Sequence, residues 1–406
     1  MHTTSALLIG ILQEFNVLTK IRAVTTDSGS EMPPAMKIVM QYINDNFDLK
    51  LDRDWHICCV CHIFINCAVM DCKKLVKNAV EKMREMLKMI RNTPLLRAEL
   101  KETQIYLGKQ TPKNVPGLDV DNRWNSMFIM IDACFELRTV FEAMSNNPQF
   151  SGKLESLSLL EWQEVKTVKD FLQPAYELTT FASSSKYATL GMQPLIYESL
   201  ENHCIETISG NCPTGFTTAL VKQAAEAMLQ KLNKYKDIMN SPLAKRAVVL
   251  DPATPNRDED IHELQSLVRL RLLVDYGIDH VEGDDQAPLR SLTLLEKARL
   301  RRIFDSRPLK AMQDEVDLFM DITKQVDDSF LDPIEWWRVT GSKRFPMIAI
   351  LARDTLMCKG SSVPSESSFS DSGNFVRRDR CTLSNDNLEK MMKMQSWHCL
   401  FDDMKP

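Results

Sequence analysis

The sequence predicts an α/β opening followed by a mostly helical chain, and three observations predict it. An apolar run, Ile21-Arg22-Ala23-Val24-Thr25-Thr26, stands between two helix-like stretches and ends on Asp27 in the turn Thr26-Asp27-Ser28-Gly29-Ser30. A second apolar run begins at His56, so that strand, helix, strand and helix succeed one another. From Asn125 to about Lys236, apolar residues recur at helical spacing with few strand signals between them.

Each element has its own local reason. Ala6, Leu7, Ile9, Leu12 and Phe15 predict a helix leading into the strand at 21–26. Pro33 and Pro34 open a second helix that runs to about Phe47, because proline is tolerated in a first helical turn. In Asp54 to Cys67 the first half reads as a buried strand and the second half turns helical into a basic stretch at 73–91. Gly108, Pro112, Pro116 and Gly117 mark a loop over 108–121. Pro242, Pro252, Pro255 and an acidic stretch from His280 to Pro288 predict a break or variable loop near 241–295. Asp332-Pro333-Ile334-Glu335 combines a capping aspartate, a first-turn proline and a glutamate three residues on. Phe345 to Arg353 is apolar on most sides and predicts a buried helix, and a final helix starts near Asp386.

Composition narrows the functional classes. At 406 residues and 44% hydrophobic content the chain can fill roughly two to three domains. A formal charge of −5 argues against a surface that coats nucleic acid throughout, because that binding depends on neutralising phosphates. Two local basic clusters remain, Lys73, Lys74, Lys77, Lys82, Arg84 and Lys88, and Lys297, Arg299, Arg301 and Arg302; each reads either as a solvated helix face or as a nucleic-acid contact. No apolar run reaches membrane-spanning length, and the start Met1-His2-Thr3-Thr4 carries no secretory pattern. Eleven clustered cysteines suit reduced thiols.

Several motifs carry chemistry only in combination. A carboxylate delivered by a strand end into a Gly/Ser turn, as Asp27 is, suits a divalent-metal ligand in nucleotidyl transfer, which uses several carboxylates around two ions. Cys58-Cys59-Val60-Cys61-His62 matches the haem-attachment pattern and half a zinc site, but its apolar frame predicts buried thiols on a strand and a core His62. Arg123-Trp124 reads as a helix start, and Glu366 as a glutamate near a helix N-terminus.

In this order the motifs resemble those of the hAT superfamily of DNA transposases and their zinc-finger BED-type relatives. The resemblance rests on Val24 to Met32, on Cys59-Val60-Cys61-His62 with Asn66, on Arg123-Trp124-Asn125-Ser126 and on Leu250-Asp251-Pro252. It is most specific over Trp336-Trp337, Phe345-Pro346, Leu351-Ala352-Arg353 and Pro364 to Ser370 with Arg380 and Leu383, which is similar to the family's C-terminal dimerisation region. The family resemblance implies a partial RNase H-like core over 1–124, an all-helical insertion over 125–309 and a dimerisation region over 310–406. It implies that Asp27 matches the second catalytic aspartate and Glu366 the catalytic glutamate, both binding Mg2+ in active relatives. Ser28, Glu31 and Ser367 depart from the family pattern.

No residue upstream of the 21–26 strand matches the family's first aspartate. The resemblance therefore implies the C-terminal portion of a transposase, catalytically inactive, with Asp27 and Glu366 as remnants. It also implies self-association as at least a dimer, a nuclear location, no membrane partner and no small-molecule cofactor. Trp336, Trp337, Phe345, Pro346, Leu351 and Phe369 are the residues assigned to dimerisation, with Trp397 as a further aromatic anchor and with the alternative that the tryptophans serve the core. Two other functions stay open: a Mg2+-dependent transposase or nuclease completed by Asp48, Asp52, Asp54 or a partner chain, and DNA binding without chemistry through the helix at 73–91.

Overall fold

The computed structural model describes residues 2–27, 29–47, 51, 53–64, 75–119, 124–150, 154–184, 187–211, 218–254, 265–266, 268, 271–272, 310–323, 332–375, 384 and 386–394. In chain order the elements are α1 (His2–Glu14), β1 (Val24–Thr26), α2 (Met32–Phe47), β2 (His56–Cys58), α3 (Val60–Phe64), α4 (Lys77–Asn92), α5 (Pro94–Tyr106), α6 (Trp124–Glu136) and α7 (Arg138–Asn146). There follow α8 (Leu159–Ala182), α9 (Met192–Ser209), α10 (Ala219–Met239), α11 (Pro242–Val249), α12 (Lys310–Thr323), α13 (Pro333–Trp336), α14 (Pro346–Leu356) and α15 (Val363–Phe375). The chain is mostly helical, and the α/β opening is present as expected.

The two strands are three residues each and pair in parallel, Val24 with His56 and Thr26 with Cys58. The change from strand to helix expected inside 54–67 falls between Cys58 and Val60. Of the thiols expected on a strand, only Cys58 lies on β2; Cys59 and Cys61, both buried, sit at the strand end and on α3. The reason is local, since the N–H of Cys59 is the last to pair with β1, donating to the Thr26 carbonyl at 2.8 Å. Within the stretch 241–295, residues 242–249 form the buried helix α11, started by a Ser241 side-chain cap and a first-turn proline; residues 273–295 lie outside the described residues.

The chain divides into two compact units. The first is assembled from residues 1–61, 182–192 and 241–406. Its α1 and α2 pack through Leu8, Ile9 and Leu12 against Met36, Val39 and Ile43 with Trp55. Its larger core gathers Ile57 of β2, Leu190, Ala247 and Leu250, Phe319 of α12, and Trp336, Trp337, Phe345, Ile348 and Leu351. Four rings form the centre. Trp336 and Trp337 meet edge to face at 5.0 Å, and Phe319 lies 5.2 Å from Trp337 and 5.3 Å from Phe345. The Trp337 indole N–H donates to the Leu250 carbonyl at 2.7 Å, so the ring is buried with its polar atom satisfied. Buried Glu315 accepts from the N–H groups of Met347 and Ile348 at 2.8 and 3.0 Å, capping α14 from a neighbouring helix.

The second unit spans residues 62–181 and 193–240 and is helical. Helix α4 buries Ala79, Val80, Met83, Met86, Leu87 and Ile90 on one stripe. Trp162 and Phe171 of α8 are fully buried, and His203 of α9 stacks on Phe171 with a ring nitrogen 3.0 Å from the Phe171 carbonyl. Burial holds the His203 pKa below the usual histidine value, and does the same to His56 in the first unit.

Two outcomes follow. A Cβ at Gly341 would sit 2.4 Å from Trp337 Cε3 and 2.5 Å from Trp336 Cζ3. Gly341→Ala is expected to cost about 1–3 kcal/mol through forced ring displacement, read as a lower urea midpoint for the first unit. For the two histidines the folded pKa lies below the unfolded one, so nothing is lost above pH ~6.5, and stability falls as pH drops from there toward the folded values. The melting temperature should therefore decline between pH 7.5 and 5.5, and less steeply in His203→Gln.

Candidate functional site

The two candidate catalytic carboxylates belong to the first unit and owe their positions to one joint. Asp27 is exposed where β1 ends, and its Oδ1 accepts from the Gly29 N–H at 3.2 Å, a local turn bond. Glu366 is exposed on the first turn of α15 and accepts from the Ser362 hydroxyl at 2.9 Å. Between α14 and α15 the chain runs through Lys359, Gly360, Ser361 and Ser362 directly beneath the strand pair. The Thr25 hydroxyl donates to the Lys359 carbonyl, and the Val60 N–H donates to the Gly360 carbonyl at 3.0 Å. The Ser361 hydroxyl lies 3.3 Å from Cys61 Sγ and 3.5 Å from Cys59 Sγ, while the Ser362 N–H approaches Cys59 Sγ at 3.2 Å.

Gly360 is required at this joint by close approach. Its N–H donates to Thr189 Oγ1 at 3.0 Å, and a Cβ there would lie 2.7 Å from the Thr189 carbonyl oxygen. Over three hundred residues of sequence separate β2 from Ser361, so nothing local in the sequence announces the contact. The signal available was composition: a Ser-rich junction immediately after Lys359-Gly360.

The cysteines serve this joint. A hydrogen bond with Cys59 and burial raise the Cys61 thiol pKa, and burial raises that of Cys58, with lesser contributions from Cys59 and the Asp27 carboxylate. Thiols held protonated are poor metal ligands. Among the described residues no three His, Cys, Asp or Glu side chains come together as a metal-holding group. Asp27 and Glu366 thus do not fit a two-ion centre by themselves. Of the residues considered as a third carboxylate, Asp54 is half-buried before β2, and Asp48 and Asp52 lie outside the described residues. Asp251 of the Leu-Asp-Pro segment is buried in the turn after α11, accepting from the Ala253 N–H at 2.9 Å, and burial raises its pKa.

The remaining sequence candidates divide cleanly. Of the two roles left open for the tryptophans, the structure shows core packing: Trp336, Trp337, Phe345 and Leu351 are buried inside their own unit. Pro346 is half-buried at the start of α14, whereas Phe369 on α15 is 73% exposed. His62 is half-buried on α3; Trp124 begins α6, and its side chain, Arg123 and Trp397 lie outside what is described. The described cations of α4 are engaged within their unit. Lys77 pairs with Glu81, Lys82 with Glu161 at 2.6 Å, Lys88 with Glu85, Arg84 with nearly buried Asp119 through two hydrogen bonds, and Arg91 donates to the Pro116 carbonyl. Lys73, Lys74 and the cluster at 297–302 lie outside the described residues.

Comparison with known proteins agrees with these motifs. Residues 315–398 match the hAT family C-terminal dimerisation region, and residues 57–171 match the ZBED1 RNase-like helical domain. A Zea mays protein named as an AC transposase is 22% identical over 95% of this chain and 50% of its own length. The zinc finger BED domain-containing protein RICESLEEPER 2 of Oryza sativa subsp. japonica is 22% identical over 98% of this chain and 59% of its own length. DAYSLEEPER of Arabidopsis thaliana, another zinc finger BED domain-containing protein, is 23% identical over 73% of this chain and 43% of its own length. The chain spans about half the length of the curated relatives it matches. Two matched regions, with relatives aligned over nearly the whole chain, make this protein a relative of the hAT-family transposases.

Proposed function

We propose that the chain is a transposase-derived protein that self-associates through its C-terminal region, acts in the nucleus, and performs no strand cleavage by itself. The observation that carries this reading is the match of residues 315–398 to a dimerisation region, in a fold where the retained carboxylates are not joined by a third ligand among the described residues. The surface for a second copy has to be sought among side chains the core leaves outside. Within the matched region these are Leu318, Val339, Met357, Phe369 and Met394, each at least 46% exposed. Phe369 on α15 is the largest apolar side chain of that set and the most exposed, the type of residue that anchors interfaces.

A second reading is a transposase completed by carboxylates from another chain. The joint of Lys359 to Ser362 beneath β1 and β2 favours it, because it ties the strand end bearing Asp27 and the helix bearing Glu366 to one frame. In that reading Asp27 and Glu366 would hold Mg2+, which would supply Lewis-acid stabilisation of a phosphodiester's oxygens. An RNase H-like origin for the strand pair, and DNA as the polymer handled, belong to this reading.

Light scattering on the full chain at micromolar concentration is expected to give twice the mass of 46.5 kDa, and Phe369→Asp to shift the equilibrium at least tenfold toward monomer. A wild-type monomer at tens of micromolar would reject self-association. Removal of residues 330–406 is a poor test, because it strips Trp336, Trp337, Phe345 and Leu351 from the core. With Mg2+ and a hairpin-forming DNA end, the chain alone is expected to yield no product that Asp27→Ala removes; Asp27-dependent cleavage would establish the second reading.

A further inference from the structure

A cavity of about 720 Å³ opens in the first unit beside β1, walled by Lys20 to Ala23 and Thr25 on one side and by Arg353, Asp354, Met357 to Lys359 and the Ser-rich turn on the other. Four cations face it, Lys20, Arg22, Arg353 and Lys359, against one carboxylate in its wall, Asp354. Asp354 does not cancel them. Its side chain is 15% exposed and receives Arg22 Nε at 2.8 Å and Arg353 Nε at 3.3 Å, so that it holds two guanidinium groups from distant parts of the sequence at one rim. Lys359 is fixed from the other side, its Nζ donating to the Tyr187 carbonyl at 2.7 Å, and desolvation lowers its pKa while Asp332 opposes that shift. Two guanidinium and two ammonium groups around a concave space make a receptor for a multiply charged oxyanion, with the planar guanidinium fork matched to phosphate.

We propose that this cavity binds a phosphate ester, delivered as a free nucleotide or as the backbone of a nucleic-acid strand. Ile21, Ala23, Met357 and Pro364 add apolar lining on which the non-phosphate part of such a ligand can lie. The site is separate from the basic helix α4, whose described cations are engaged inside their own unit. It does not depend on dimerisation and would stand if the chain were a monomer.

The test uses the full chain with three probes: pyrophosphate, ATP and a fluorescent 20-nucleotide single strand, measured by calorimetry and anisotropy at 50 and 200 mM salt. The variants are Lys20→Gln with Arg353→Gln, both at the exposed rim, and separately Met357→Glu, which adds a carboxylate at a side chain that is 62% exposed. Binding of at least one probe is expected, weakened tenfold or more by either variant, unchanged by Lys88→Gln on α4, and weakened by salt. ATP or pyrophosphate binding as tightly as the oligonucleotide identifies a free nucleotide as the ligand, and preference for the oligonucleotide identifies a strand backbone. No binding of any probe at millimolar concentration in 50 mM salt, or binding that both variants leave unchanged, overturns the proposal.

Discussion

The approach of Gly360 to the backbone of Thr189 is the constraint on which the first unit depends. Segments far apart in the sequence, at Thr189, at the end of β2 and at 359–362, meet here, and their backbone polar groups need partners. The contact supplies those partners in a chain of bonds: Gly360 N–H to Thr189, Val60 N–H to Gly360, Ser361 to Cys61, Ser362 N–H to Cys59. A side chain at 360 would separate the layers. With them would go the positions of Glu366, of the β1 end and of the cationic cavity, all of which are built outward from this turn.

The aromatic centre has a related logic. Phe319, Trp336, Trp337 and Phe345 come from α12, the end of α13, the residue after it and the residue before α14, and they meet in edge-to-face, tilted and stacked pairs without an intervening side chain at Gly341. Because these rings occupy the interior, the residues that mark the C-terminal region most clearly in sequence are not the ones on its surface. Burial of large aromatics contributes on the order of 2–3 kcal/mol each, which explains why the pattern Trp-Trp, Phe-Pro, Leu-Ala-Arg is a signature of folding first. The apolar side chains that this region leaves outside among the described residues, such as Met357 and Phe369, are more scattered.

The charge pattern shows the same separation between sequence and surface. Helix α4 looks basic in sequence, yet Lys77, Lys82, Arg84 and Lys88 are matched by Glu81, Glu161, Asp119 and Glu85, and Arg91 donates to the Pro116 carbonyl. The cavity beside β1 is the reverse case. Lys20, Arg22, Arg353 and Lys359 form no run in the sequence, and the fold brings Arg22, just before β1, to the Asp354 carboxylate that also holds its neighbour Arg353.

What the sequence determined by itself was whatever local chemistry decides. Helix and strand type followed from apolar periodicity, the starts of α2 and α13 from proline and a capping aspartate, and the family from motifs in a fixed order. The Asp332 cap forms as its spacing implies, accepting from the Ile334 N–H at 2.9 Å. The tertiary structure alone decided which residues share a space: that Cys59 and Cys61 close on Ser361, that Glu315 caps α14, that the tryptophans face inward, and that four scattered cations line one cavity. The physical reason is range. Dihedral preference and capping act within a few residues, whereas packing and charge pairing act between groups that only a closed chain brings within a few ångströms.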